Sequence, residues 1–108
     1  MSHVTTHVLD AALGHPAAGM AVALSGPTGE MLATGVTDAD GRITQLGADV
    51  LPAGDYRLEF EVGQYFSGAG RRAFYPRVTI DFIVTDVDAH YHVPLLLSPF
   101  AYSTYRGS

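Results

Sequence analysis

Tyr56-Arg57-Leu58-Glu59-Phe60-Glu61-Val62 sets an apolar residue at every second position, with a charge between each pair. A period of two belongs to an extended strand with one dry face and one wet face, as in an antiparallel sheet packed on a core. Further along, Val78-Thr79-Ile80-Asp81-Phe82-Ile83-Val84 starts with the same alternation and closes in an apolar run. Residues 20–24 and 31–36 are less regular strand candidates, and Asp40-Gly41-Arg42 opens a short one. Turn signals punctuate the chain at Gly14-His15-Pro16, Ser25-Gly26-Pro27, Asp38 to Gly41, Leu51 to Gly54, Gly68 to Gly70 and Ser98-Pro99. Short β-branched and aromatic runs between closely spaced turns are the pattern of an all-β sandwich or barrel. No segment reads as a long amphipathic helix. Residues 64–69 are the best place for a short one, although Gly68 weakens it.

The two end segments carry the chemistry. In residues 3–10, alternation places Thr5, His7 and Leu9 on one face and Val4, Thr6 and Val8 on the other. In residues 90–97, Tyr91, Val93, Leu95 and Leu97 form a core face, while His90, His92, Pro94 and Leu96 share the opposite one. Histidines mixed with Pro and Leu make an odd solvated face, and outward apolar residues imply a cover. This face therefore reads as a subunit interface or a lined cavity. A last strand over residues 100–105 puts Ala101, Ser103 and Tyr105 on one side.

A chain of 108 residues fits one domain, residues 1–108, with an adequate but thin core. Charged residues are only 16%, which leaves neutral surface for self-association. The net charge is −5, with six arginines and no lysine, so the basic footprint of a nucleic-acid binder is missing. Cysteine is absent, which excludes disulfides, a thiolate nucleophile and a cysteine zinc site. No apolar run approaches the ~20 residues of a spanning helix, and the first residues lack the pattern of a signal peptide. A cytoplasmic protein without membrane contact is the expectation.

Local motifs alone stop at a covered, histidine-bearing face. His90-Tyr91-His92 places two imidazoles on one strand face, which would suit zinc, but no thiolate or nearby acidic third ligand accompanies them. Taken alone, Arg42 is a solvated residue beside a turn, Tyr105 a packing ring and Ser108 a terminal residue. No Gly-x-Ser-x-Gly elbow and no phosphate-binding glycine loop is present.

Several stretches together resemble the transthyretin superfamily along nearly the whole chain. They are His7-Val8-Leu9-Asp10 followed by Gly14 and Pro16-Ala17, then Thr37 to Arg42, and Leu96-Leu97-Ser98-Pro99-Phe100-Ala101-Tyr102-Ser103-Thr104. The hormone-carrying branch has lysine, glutamate and threonine where this chain has His7, Arg42 and His92, and lacks the closing Tyr105-Arg106-Gly107-Ser108. The chain therefore resembles the 5-hydroxyisourate hydrolases within that superfamily. The resemblance implies a β-sandwich of two four-stranded sheets with one short helix. It also implies a homotetramer, a dimer of dimers, with active sites at the dimer–dimer interface.

The implied reaction is hydrolytic opening of a ring amide of 5-hydroxyisourate, giving 2-oxo-4-hydroxy-4-carboxy-5-ureidoimidazoline without metal or organic cofactor. His7 and His92 would then activate water and manage protons, since imidazole titrates near working pH. Arg42 would bind substrate and stabilise the developing oxyanion. Tyr105 would seat the ring, and Ser108 would orient water or a histidine through its hydroxyl or carboxylate. The competing expectations are a transthyretin-like carrier of a small aromatic ligand, a structural or adhesive sandwich, and another amidohydrolase on this scaffold.

Overall fold

Strand pairing distributes the alternating segments between two packed sheets in the computed structural model, which describes residues 1–108. The second sheet is the more regular, in the order β4 (Met31–Val36), β3 (Ala21–Ser25), β6 (Gly54–Phe60), β7 (Val78–Val84), all antiparallel. Its alternation is read out directly: Tyr56, Leu58 and Phe60 of β6 and Val78, Ile80 and Val84 of β7 are buried, while Asp55, Arg57, Thr79 and Asp81 face water.

The first sheet has the order β2 (His15–Pro16), β1 (Val4–Asp10), β8 (Tyr91–Ser98), β9 (Ala101–Thr104). The two-residue strand β5 (Arg42–Ile43) also pairs with β1, so this sheet has five strands where four were expected. The fifth arises because the Asp38–Gly41 turn drives Arg42 and Ile43 against the free edge of β1, where β2 has already ended. Inward residues from both sheets form one cluster of 21 buried apolar side chains, among them Val4, Val8, Leu24, Leu58, Phe60, Val93, Leu95 and Leu97.

The one helix, α1 (Val62–Gly68), starts two residues earlier than the sequence suggests. Val62 and Phe66 are four apart, lie on one face of the helix and bury together in the core, and this packing outweighs the low propensity of Gly63 and Gly68. The strand before it accordingly stops at Phe60 and does not reach Val62. No helix is long and apolar enough to cross a membrane.

The decisive pairing joins the two ends of the chain. β1 and β8 run parallel, in the register Thr5↔His92, His7↔Pro94 and Leu9↔Leu96. Pro94 sits buried in mid-strand and has no N–H to donate. The β8–β9 ladder ends at Leu95↔Thr104, and the Thr104 hydroxyl donates to the Pro94 carbonyl at 2.7 Å. Past this gap, residues 105 and 106 loop out, and the chain pairs again where Gly107 N–H donates to the His92 carbonyl at 2.8 Å.

Candidate active site

β1 is flanked by β5 on one side and β8 on the other, and that placement assembles the site. His7 pairs with Arg42 across one edge and with Pro94 across the other, and Thr5 faces His92. With strands ~4.8 Å apart and a rise of ~3.3 Å per residue, the His7 and His92 backbones stand roughly 8 Å apart on one sheet face. Arg42 lies directly beside His7. Three of the five expected site residues are thus neighbours on three adjacent strands.

Arg42 is held by its turn. The Asp38 carboxylate accepts from the N–H groups of Asp40 (2.9 Å) and Arg42 (3.0 Å), and Gly41 N–H donates to the Asp38 carbonyl. Gly41 has φ +75°, and a Cβ there would strike the Val8 carbonyl, so glycine alone permits the approach to β1. The Arg42 side chain is exposed and forms no ion pair, whereas Arg57, Arg71 and Arg77 all do. The His7 ring is half-buried and forms no hydrogen bond within the chain. Both heads are left free for something outside the protomer.

His92 is half-buried, and its Nδ1 lies 2.8 Å from the Thr5 hydroxyl. The same hydroxyl is 2.8 Å from His90 Nε2. No third His, Asp or Glu joins this pair as a metal-ligating group. Burial lowers the pKa of His92 below its ordinary value, and the positive surroundings of Arg42, His7 and His90 lower it further, against the Thr5 bond. A lowered pKa favours the neutral imidazole, the form a general base needs.

The closing tetrapeptide lies over this ring. A Cβ on Gly107 would sit 2.5 Å from His92 Cδ2, so the bridge requires glycine there. Arg106 stacks over Tyr91 at 4.4 Å from its ring centroid and reaches the His90 carbonyl at 3.4 Å. Tyr105 and Ser108 flank the bridge and are both exposed. The tail is therefore brought to His92 through Gly107, while neither Tyr105 nor Ser108 forms a side-chain bond to His7, Arg42 or His92 within the chain.

Two features escaped the sequence reading. Thr5 was placed on the face of His7, but its two imidazole partners lie 85 and 87 residues away and only the β1–β8 pairing reveals them. His3 is structural: Leu51 N–H donates to its Nδ1 (2.7 Å), so Nε2 carries the proton and donates to the Ala89 carbonyl (2.6 Å). Elsewhere, a broad concavity on the outer face of the second sheet includes Arg57 and Asp81, which are paired with each other at 2.7 Å, and it holds no histidine.

With this geometry in place, comparison with known proteins is decisive. A family model described as HIUase/Transthyretin matches residues 4–107. The chain belongs to the HIUase/Transthyretin family. It is 50% identical to a 5-hydroxyisourate hydrolase of Caulobacter vibrioides over the full length of both chains. It superposes on the 5-hydroxyisourate hydrolase of Klebsiella pneumoniae with a TM-score of 0.90 at 48% identity, covering 97% of this chain and 98% of that one. Sea bream transthyretin in complex with thyroxine gives the same TM-score at 36% identity, covering 96% and 93%. Backbone shape therefore does not separate the enzymes of the family from its carriers, and sequence identity and the side chains on the β1–β8 face must do so.

Proposed function

We propose that this chain hydrolyses 5-hydroxyisourate, opening a ring amide to give 2-oxo-4-hydroxy-4-carboxy-5-ureidoimidazoline. The observation that carries the reading is the placement of His7, His92 and an unpaired Arg42 on one sheet face by the β5–β1–β8 register. Amide hydrolysis needs a base for water, a cation for the oxyanion and a proton for the departing nitrogen. His92 Nε2 takes the proton from water, and the hydroxide adds to the carbonyl carbon. Arg42 donates to the oxygen that gains charge. The C–N bond then breaks, with His7 or His92 supplying the proton to nitrogen. Tyr105 seats the ring, and Ser108 orients water or a histidine. No step in this scheme calls on a metal or organic cofactor.

The site is completed by further copies of the chain, in a homotetramer built as a dimer of dimers with the face of β1 and β8 at the dimer–dimer interface. Support comes from Leu9 and Leu96, apolar and only half-buried in the single chain, on the same face as polar heads that have no partner within it. Sedimentation velocity checks this: a species of four chains is expected.

The deciding experiment follows the absorbance of 5-hydroxyisourate generated fresh from urate by urate oxidase, against its spontaneous decay. Fast loss with the wild type but not with His92→Asn supports the reading. Decay no faster than the control, from a folded protein, overturns it. The second reading, a carrier of a small aromatic ligand, rests on the likeness to the thyroxine-bound transthyretin. It predicts tight thyroxine binding and no turnover.

A further inference from the structure

Thr5 is nearly fully buried, at 4% exposure, although it lies on the outward face of β1. What covers it is the pair of imidazoles, His92 from β8 and His90 from the residue just before that strand, each 2.8 Å from its Oγ. A hydroxyl has one proton to donate and two lone pairs with which to accept. The arrangement that uses its one proton donates to one ring nitrogen and accepts from the other. The tautomers of the two rings are therefore coupled.

The chemistry of the proposed reaction gives this bridge a task. Hydrolysis of an amide to an acid whose nitrogen product is not basic releases one proton per turnover at neutral pH, since a carboxyl ionises near pH 4. That proton arises at a face covered by other side chains. Within a single chain His92 is half-buried, whereas His90 is exposed.

We infer that Thr5 is a positioning residue that holds His92 with Nδ1 protonated and Nε2 free, and that it links His92 to His90 as a proton exit. When Nε2 of His92 takes a proton from water, the Nδ1–H bond breaks as a new Oγ–H bond forms. The original Oγ–H bond breaks in turn as an Nε2–H bond forms on His90. His90 then loses its Nδ1 proton to solvent. When His92 then gives its Nε2 proton to the departing nitrogen, the relay runs in reverse, His90 taking a proton from solvent on Nδ1, so both rings return to their starting tautomers and no oxidant or co-reactant enters. The charged and titratable groups facing His92 are Arg42 from β5, His7 from β1 and His90 beside it, so a cationic His92 is disfavoured from each side and a path that discharges it is useful.

This inference rests on the hydrolase reading, and its test separates the two. Long-range 1H–15N spectra report imidazole tautomers without any turnover. In the wild type, His92 is expected as the Nδ1–H form; in Thr5→Val, which keeps the shape and removes the hydroxyl, that preference should be lost. In the kinetic arm, Thr5→Val lowers kcat by about 100-fold with KM within about twofold, and Thr5→Ser restores it. His90→Gln is slow in dilute buffer and recovers as imidazole buffer is added. Unchanged His92 signals in Thr5→Val overturn the positioning role, even if the wild type proves inactive on 5-hydroxyisourate. Thr5→Ser as slow as Thr5→Val reduces Thr5 to packing, and a His90→Gln rate independent of buffer removes the exit.

Discussion

The two faces of β1 carry two polar clusters that are built on opposite principles. On the core side, Asp10 is fully buried and every acceptor is used: Arg71 donates to it at 2.6 Å, Tyr65 at 2.8 Å and Leu13 N–H at 3.1 Å. On the outward side, His7 and Arg42 have polar heads with no partner, and only Thr5 links His90 to His92. A closed cluster ties α1 and the loop after it to the sheet, and its satisfied bonds leave nothing for a ligand. An open cluster contributes little to folding and keeps its donors for a substrate. Pairing within the chain thus distinguishes groups that hold the fold from groups left free of it.

The contrast is broken most severely by charge reversal on the open face. Arg42→Glu is expected to reduce turnover by about 1000-fold, the scale of losing an oxyanion donor, with the melting temperature nearly unchanged. Steady-state kinetics beside calorimetry check both halves, and an Arg42→Glu protein that melts early with normal turnover inverts the comparison. Next in size, Asp10→Ala removes the acceptor shared by Arg71, Tyr65 and Leu13 N–H and is expected to lower stability, read by urea titration. Its turnover per folded site should stay near wild type.

A pH series sharpens the same contrast. Burial pushes the Asp10 carboxyl up, but the Arg71, Tyr65 and Leu13 bonds overcome it and bring the pKa down to about 2. The folded pKa lies below the unfolded one, so the unfolded chain binds more protons between them. The stabilisation is complete above about pH 4 and is lost as pH falls through the folded value. Wild-type stability should therefore fall more steeply than that of Asp10→Asn across this window. On the open face the pKa of His92 is lowered as well, by burial first and by Arg42 next, but there the shift favours the neutral ring, not the charged group. Arg42→Gln should move the NMR titration of His92 upward, towards its ordinary value. The smallest effect belongs to Arg57 and Asp81, an exposed cross-strand pair, whose replacement by alanine should leave melting and turnover unchanged within error.

Much of this architecture was legible because alternation in β6 and β7 exposes its dry face in one dimension. The odd character of the His92–Pro94–Leu96 face was visible for the same reason. Three things were not. Parallel pairing of β1 with β8 leaves no local signature, so the double bond of Thr5 stayed hidden. Asp10 looked like the end of a strand, because its partners Tyr65 and Arg71 come from a segment without clear periodicity. Gly107 looked like one residue of a short tail; only the closeness of the His92 ring shows why a side chain is excluded there.

The parallel β1–β8 pair also sets a schedule for the ribosome. Thr5 is made before its partner His92, which follows 87 positions later. At ~5–20 residues per second, β1 waits roughly 4–17 s for the strand that completes its sheet. During that interval the second sheet, whose antiparallel strands are nearer in sequence, can form, while the histidine face cannot exist in any shortened nascent chain. The histidine face of this protein waits for the strand that carries His92.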